Sequence, residues 1–314
     1  MQKVLMLEGK LKDKIWGGAR LKKEFAYDIN SDSVGEYWAI SAMEDAPSSI
    51  INGKLAGKTL DEVYRDHREL FGGVSEDSFP LLVKIIDAKK DLSIQVHPDD
   101  EMGKKLEDSR GKTECWYILN EDESSIIYGL NADSKEQAID LINNRKWEEV
   151  LREVPAKNGD FFFVPAGTVH AIKAGCLILE IQQASDVTYR LYDYDRPDKD
   201  GKLRELHIDK SIEAIKISEV DNSRKTESSK NMTKTSLTSN DFFEVRELDI
   251  TGHQVLIRDR DYLLESVIAG SGKLIVDDEV IDIKKGDFFI LTNEVSSYEF
   301  DGDLVVVESN TIGR

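Results

Sequence analysis

Two stretches of this chain repeat one another. Asn158-Gly159-Asp160-Phe161-Phe162-Phe163-Val164 and Lys285-Gly286-Asp287-Phe288-Phe289-Ile290-Leu291 both place a Gly-Asp pair before an apolar run. A second apolar run follows each, CLILEIQQ at 176–183 and LVVVESN at 304–310. Gly-Asp reads as a turn and the apolar runs as buried strands, so one supersecondary unit must be accommodated twice. The copies differ at a chemically important place: His170 in the first corresponds to Ser297 in the second. The first half therefore reads as catalytic and the second as its structural descendant. Short strand-like segments separated by Gly, Asp and Asn dominate elsewhere, which favours a barrel or sandwich over alternating parallel βα units.

Three helical stretches interrupt this pattern. Residues 58–70 space Leu60, Val63 and Leu70 at near-helical intervals. Residues 133–153 open on an Asp-Ser cap and gather Ala138, Leu141, Ile142, Trp147, Val150 and Leu151 on one face. The third candidate is 207–218. The segment 221–235, DNSRKTESSKNMTKT, has almost no apolar residue and reads as a linker. The expected organisation is a first domain over 1–220 with helical insertions, a linker over 221–235 and a smaller β domain over 236–314.

With 314 residues and 40% hydrophobic content, the chain can bury a core for one large or two ordinary domains. Its net charge of −19 argues against nucleic acid, whose binding needs clustered Lys and Arg. An anionic substrate would require a few cations to converge locally against that background. No run suits a signal peptide or a membrane span, so the expected compartment is the cytoplasm, with no membrane partner. Cys115 and Cys176 lie in apolar segments and read as buried free thiols.

The segment from Pro80, PLLVKIIDAKKDLSIQVHPDD, reads as strand, turn, strand. In its second strand Gln95 and His97 stand two apart and share a face. Glu114 lies inside KTECWYIL and His170 inside FFFVPAGTVHAI. Two imidazoles, a carboxylate and an amide oxygen suit a borderline divalent ion with positions left for substrate. A carboxylate in an apolar strand is costly unless partnered, which strengthens the set. His67, His207 and His253 lack such surroundings. Lys84, inside LLVKIIDA, and Glu180, inside CLILEIQQ, are charges in apolar runs and need explanation. Lys112 shares a strand face with Glu114.

These motifs, together with GEYWAIS from Gly35, Gly111-Lys112-Thr113-Glu114, PAGTVHAI from Pro165 and SDVTYRLYDYDR from Ser185, resemble type I phosphomannose isomerases of the cupin superfamily. The likeness is to the compact bacterial branch. It implies a mainly β fold of two cupin (jelly-roll) β-barrel domains, the second degenerate. It also implies one zinc ion per chain on Gln95, His97, Glu114 and His170. Interconversion of mannose 6-phosphate and fructose 6-phosphate through a cis-enediol is the implied reaction. Glu180, Arg190 and Lys112 are then the catalytic candidates, and Lys84, Lys112, Asp186 and Arg190 the substrate-binding ones. Which residue abstracts the carbon-bound proton stays open among Glu180, Arg190 and Lys112. Tyr37 and Trp38 read either as pocket wall or as aromatic core.

Two other readings compete. One is a metal-dependent cupin dioxygenase, which needs neither the convergent cations nor a Gln ligand. The other is a non-catalytic sugar-binding or regulatory cupin, against which the intact ligand set argues. Both a monomer and a homodimer are compatible with the sequence, the latter through an edge strand of the second domain.

Overall fold

The computed structural model describes residues 1–312 except 75, 199 and 218–222. The chain divides into two compact units that do not follow the chain linearly. One comprises Leu11–Tyr37 and Lys84–Asp221; the other comprises Met1–Lys10, Trp38–Val83 and Asn222–Arg314.

The first unit is built on two sheets. A six-stranded sheet runs in the order Phe161–Val164, Glu114–Ile118, Leu177–Gln183, Leu81–Asp87, Val34–Ile40, Lys10–Gly18. A five-stranded sheet runs Tyr189–Tyr192, Ile94–Val96, His170–Ile172, Ser124–Leu130, Leu151–Ala156. Ile86, Trp116, Ile118 and Ile178 from the first sheet share an apolar core with Ile126, Tyr128, Ala156 and Ile172 from the second. Side chains, rather than a continuous hydrogen-bonded ladder, join the two faces.

The expected barrels are therefore not formed. The strand order of each sheet is open, and closure would need its two edge strands to pair with one another. In the six-stranded sheet those edges are Phe161–Val164 and Lys10–Gly18, which do not pair. The mainly β architecture with helical insertions stands; the barrel does not.

The second unit carries a nine-stranded sheet in the order Lys225–Ser228, Met232–Ser239, Phe243–Ile257, Ser297–Thr311, Leu263–Val276, Phe288–Leu291, Val4–Glu8, Ser49–Ile50, with Glu279–Lys284 paired to Leu263–Val276. Val4, Leu248, Leu263, Phe289, Phe300 and Val306 belong to its core. The span expected as a linker differs. Its first residues, 221–222, lie outside the described residues, whereas Lys225–Ser228 and Met232–Ser239 are antiparallel strands. Thr and Ser are frequent in both strands, and only Met232 and Leu237 are apolar; Thr226 and Thr235 meet hydroxyl to hydroxyl at 3.2 Å.

The sequence repeat is a structural repeat. Trp116 pairs with Phe162 on one side and Glu180 on the other. Glu265 pairs in the same way with Phe289 and Glu308. Each Gly-Asp turn closes with the same bonds. Gly159 N donates to Ile118 O (3.0 Å) and Ile118 N to Asp160 O (2.9 Å); Gly286 N donates to Val267 O (2.8 Å) and Val267 N to Asp287 O (3.0 Å). Both glycines sit at positive φ, 83° and 94°, where a Cβ is strained.

The expected helices are shorter than their periodicity suggests. Residues 58–70 give a helix at Leu60–Asp66, closed by a Thr59/Glu62 capping box, then a separate 3₁₀ turn at Arg68–Phe71. Residues 133–153 give Lys135–Asn143 and Trp147–Val150, broken where Arg145 takes φ 54°. Of 207–218, Ile208–Ala214 is helical, and residue 218 lies outside the described residues. Asp100–Glu107 is helical with only a weak apolar face, started by Asp99, whose side chain accepts from Met102 N. No helix of the described residues is long and apolar enough to cross a membrane. Cys115 and Cys176 are buried free thiols.

Candidate active site

The site forms where the two sheets of the first unit face one another. The five-stranded sheet sets one row by register: His170 pairs with Gln95, and Gln95 with Arg190. Directly opposed residues on neighbouring strands project from the same face. His97 follows the short Ile94–Val96 strand, which Pro98 ends because proline has no N–H for the ladder. The Pro165–Gly167 turn ties the two imidazole-bearing segments, since Gly167 N donates to His97 O at 2.9 Å. Only glycine fits this turn: at φ 95°, a Cβ would lie 2.9 Å from Ala214 O. The six-stranded sheet supplies Glu114, Glu180 and Lys84 from three adjacent strands.

His97, Glu114 and His170 converge with ligand atoms all within 4.8 Å of one another, the one such group among the described residues. Each imidazole donates Nδ1–H to a backbone carbonyl, His97 to Val187 O and His170 to Thr168 O, both at 2.9 Å. That fixes the tautomer with a lone pair on each Nε2, the arrangement a metal-ligating histidine needs. The two Nε2 atoms stand 3.4 Å from opposite oxygens of Glu114. Burial, reinforced by the Lys112 charge, lowers the His97 pKa to about 3 against the pull of Glu114. Burial likewise lowers that of His170, so both rings are neutral.

Burial pushes the Glu114 carboxyl up, but the Lys112 ammonium overcomes this and holds it well below the usual carboxylate range. Its Oε1 is nevertheless buried with no hydrogen-bond partner. A buried carboxylate oxygen beside the His170 lone pair, with the His97 lone pair at the other oxygen, suits a cation. Gln95 adds an amide 3.4 Å from His170 Nε2, and a half-turn of that amide exchanges its nitrogen and oxygen. The residues fit a divalent ion of the kind taken by nitrogen and oxygen donors.

Lys112 extends its ammonium to Glu114 Oε2 (2.6 Å) and His97 Nε2 (3.1 Å). Its burial opposes the charge, but Glu114 and Glu180 overcompensate and hold its pKa above the usual lysine range. Glu180 is fixed at both oxygens: Trp116 Nε1 donates to Oε1 at 3.1 Å, and Lys84 Nζ lies 3.3 Å from Oε2. Burial raises the Glu180 pKa; Lys112 and Lys84 offset part of that rise, and Glu114 adds to it. A cavity of about 280 Å³ opens onto Gln95, Lys84, Lys112, Glu180, Asp186 and Arg190.

Gln95, His97, Glu114 and His170 thus lie close together, and Lys84, Lys112, Glu180, Asp186 and Arg190 line the cavity that Gln95 also lines. Asp186 lines the cavity, while the Arg190 guanidinium bonds the Glu205 carbonyl at 2.9 Å. Tyr37 and Trp38 are buried and outside the lining: Tyr37 packs obliquely on Tyr27, and Trp38 packs with Ala46 and Leu82. Neither His67, His207 nor His253 joins the site; His207 receives Arg190 N at 3.1 Å, and His253 faces Glu299. Lys14, Glu36 and Arg204 also line the cavity and were not foreseen. Glu36 carried a legible signal, a carboxylate inside the apolar GEYWAIS run, and it meets Lys14 at 3.1 Å.

Residues 4–153 match the family described as phosphomannose isomerase type I, catalytic domain, and residues 233–311 match the mannose-6-phosphate isomerase cupin domain. A mannose-6-phosphate isomerase of Streptococcus mutans is 46% identical over 313 residues, covering 99% of each chain. The crystal structure of the mannose 6-phosphate isomerase of Bacillus subtilis superposes with a TM-score of 0.95 at 45% identity, covering 98% of this chain and 100% of that one. A zinc-bound mannose 6-phosphate isomerase shares the fold at a TM-score of 0.77 and 15% identity, covering 99% of this chain and 100% of its own. With such identity sustained along the full length of both relatives, the chain belongs to the type I phosphomannose isomerase family.

Proposed function

We propose that the chain interconverts mannose 6-phosphate and fructose 6-phosphate with one zinc ion held by Gln95, His97, Glu114 and His170. The observation that carries this is the convergence of His97, Glu114 and His170, with Glu114 Oε1 buried without a partner, together with a cavity lined by Gln95, Glu180, Lys112 and Arg190. Zinc, when bound, supplies a Lewis acid that polarises a sugar carbonyl and favours negative charge on its oxygen.

The protein's own groups divide the proton work by charge. Lys112 is held cationic by Glu114 and Glu180, so it donates hydrogen bonds to a sugar oxygen and does not accept the carbon-bound proton. Arg190 remains a guanidinium, a planar donor suited to negative charge on the substrate. Glu180 is left as the carrier of the proton between C2 and C1. Its raised pKa makes it a stronger base than an ordinary carboxylate. Trp116 and Lys84 hold its two oxygens, which reduces the motion needed to reach both carbons. Asp186 and Lys84 complete the substrate wall.

The test is conversion of mannose 6-phosphate to fructose 6-phosphate under anaerobic conditions, before chelation, after it, and after zinc is added back. Turnover that disappears on chelation and returns with zinc supports the reading. Turnover indifferent to chelation removes the metal assignment. A product formed only with dioxygen points instead to an oxygenase.

A further inference from the structure

The cations of the cavity are unequally compensated. The three lysines each have a carboxylate of their own: Lys14 meets Glu36 at 3.1 Å, Lys84 meets Glu180 at 3.3 Å and Lys112 meets Glu114 at 2.6 Å. The lining arginines, Arg190 and Arg204, and the nearby Arg196 do not. Arg196 and Arg204 both bond the single carboxylate of Asp193, whose Oδ1 takes Arg196 at 2.7 Å and whose Oδ2 takes Arg204 Nε at 2.7 Å. Arg190 lies close enough to be repelled by both. Its Nε is buried without a partner, and its one bond reaches a backbone carbonyl. Three guanidiniums thus share one buried carboxylate and the exposed Glu205, in a chain of net charge −19. Such local excess suits a dianion, and a guanidinium fork matches phosphate geometry.

The position is equally specific. Arg190 stands two strands along the row from His170, roughly 10 Å at the usual strand spacing. A six-carbon chain whose C1 and C2 lie beside the imidazoles would bring its far end to the arginines. Arg204 spends Nε and one Nη on Asp193, which fixes the plane of its fork at the cavity wall.

We infer that Arg204, clamped by Asp193 and adjoined by Arg190, recognises the phosphate of the substrate, an assignment that rests on the sugar-phosphate function proposed above. Asp193 is a positioning residue: it orients Arg204 and keeps Arg196 and Arg204 together.

The experiment compares Arg204→Ala and Arg204→Lys with the parent enzyme in steady-state turnover of mannose 6-phosphate and in binding of inorganic phosphate by calorimetry. Arg204→Ala raises KM and weakens phosphate binding on the order of 10- to 100-fold, the effect of losing a charge-assisted hydrogen bond, while kcat changes less than about threefold. Arg204→Lys keeps the charge, loses the fork and falls between. Unchanged KM and phosphate affinity in Arg204→Ala, or a fall in kcat alone, overturns the inference and leaves the isomerase reading intact. If the parent fails to isomerise the sugar, that reading falls; phosphate binding present in the parent and lost in Arg204→Ala still supports the anion site, and its absence from the parent overturns it.

Discussion

Trp116 donates its indole N–H to Glu180 at 3.1 Å, and the two residues are also directly opposed across neighbouring strands. The hydrogen bond is therefore set by sheet register and not by a mobile loop. In the second unit the same register brings Glu265 opposite Glu308. One copy of the repeat holds its buried acid with a donor; the other opposes it with a second acid.

The Trp116–Glu180 bond gives the first prediction. Trp116→Phe leaves Glu180 Oε1 buried without its donor, at a cost of about 1–3 kcal/mol in stability. Chemical denaturation measures that loss. A fall in kcat with little change in KM shows that the lost bond positioned the catalytic carboxylate; unchanged kcat denies it that role.

The ligand set gives the second. His97→Ala and His170→Ala retain a folded β protein by circular dichroism, because the surrounding sheets do not depend on either ring for their ladders. Both variants lose bound zinc by metal analysis and lose turnover. Full activity in either one rules that residue out as a ligand.

Arg190→Ala lowers kcat/KM by about 3 kcal/mol equivalent, the scale of a lost charge-assisted contact to the substrate. Steady-state kinetics read this directly. A value indistinguishable from the parent removes Arg190 from the site.

Glu265 gives a pH prediction for the second unit. It is fully buried, both its oxygens lack hydrogen-bond partners, and burial followed by the charge of Glu308 pushes its pKa well above the usual carboxylate range, with Arg246 pulling weakly the other way. The folded state thus binds a proton that the unfolded state releases near pH 4. Stability falls as pH rises from there towards the raised folded pKa. Tyr298 donates to Glu308 at 2.8 Å, and Arg246 binds both Glu308 and Asp259, so the remaining charge in the cluster is already committed. Glu265→Gln removes the titration and keeps the shape. Its melting temperature exceeds that of the parent at pH 8 by more than at pH 5; an equal difference at both values contradicts a buried proton at this position.

The sequence revealed what depends on local pattern. Gln95 and His97 were legible because strand alternation puts them on one face, and Glu180 because an acid in CLILEIQQ needs a partner. Arg204 was invisible in a polar segment that reads as solvated loop, since its meaning depends on Asp193 and on a wall formed by distant strands. The helix at Asp100–Glu107 was missed because its apolar face is little more than Met102 and Leu106. The barrel expectation failed for a related reason. Whether an edge strand finds its opposite edge is decided by pairings far apart in the chain, and no local periodicity encodes them. Likewise the polar 225–239 stretch forms strands through cross-strand Thr and Ser contacts that composition alone disguises as linker.

The carbonyls of Val187 and Thr168 hold both imidazoles in the tautomer whose Nε2 carries the lone pair. With both rings neutral across physiological pH, loading releases no imidazole proton. A calorimetric titration in buffers of different ionisation enthalpy would therefore give the same heat of zinc binding, apart from any proton exchanged by Lys112. Uptake of an ion is in this sense indifferent to acidity wherever both rings stay neutral.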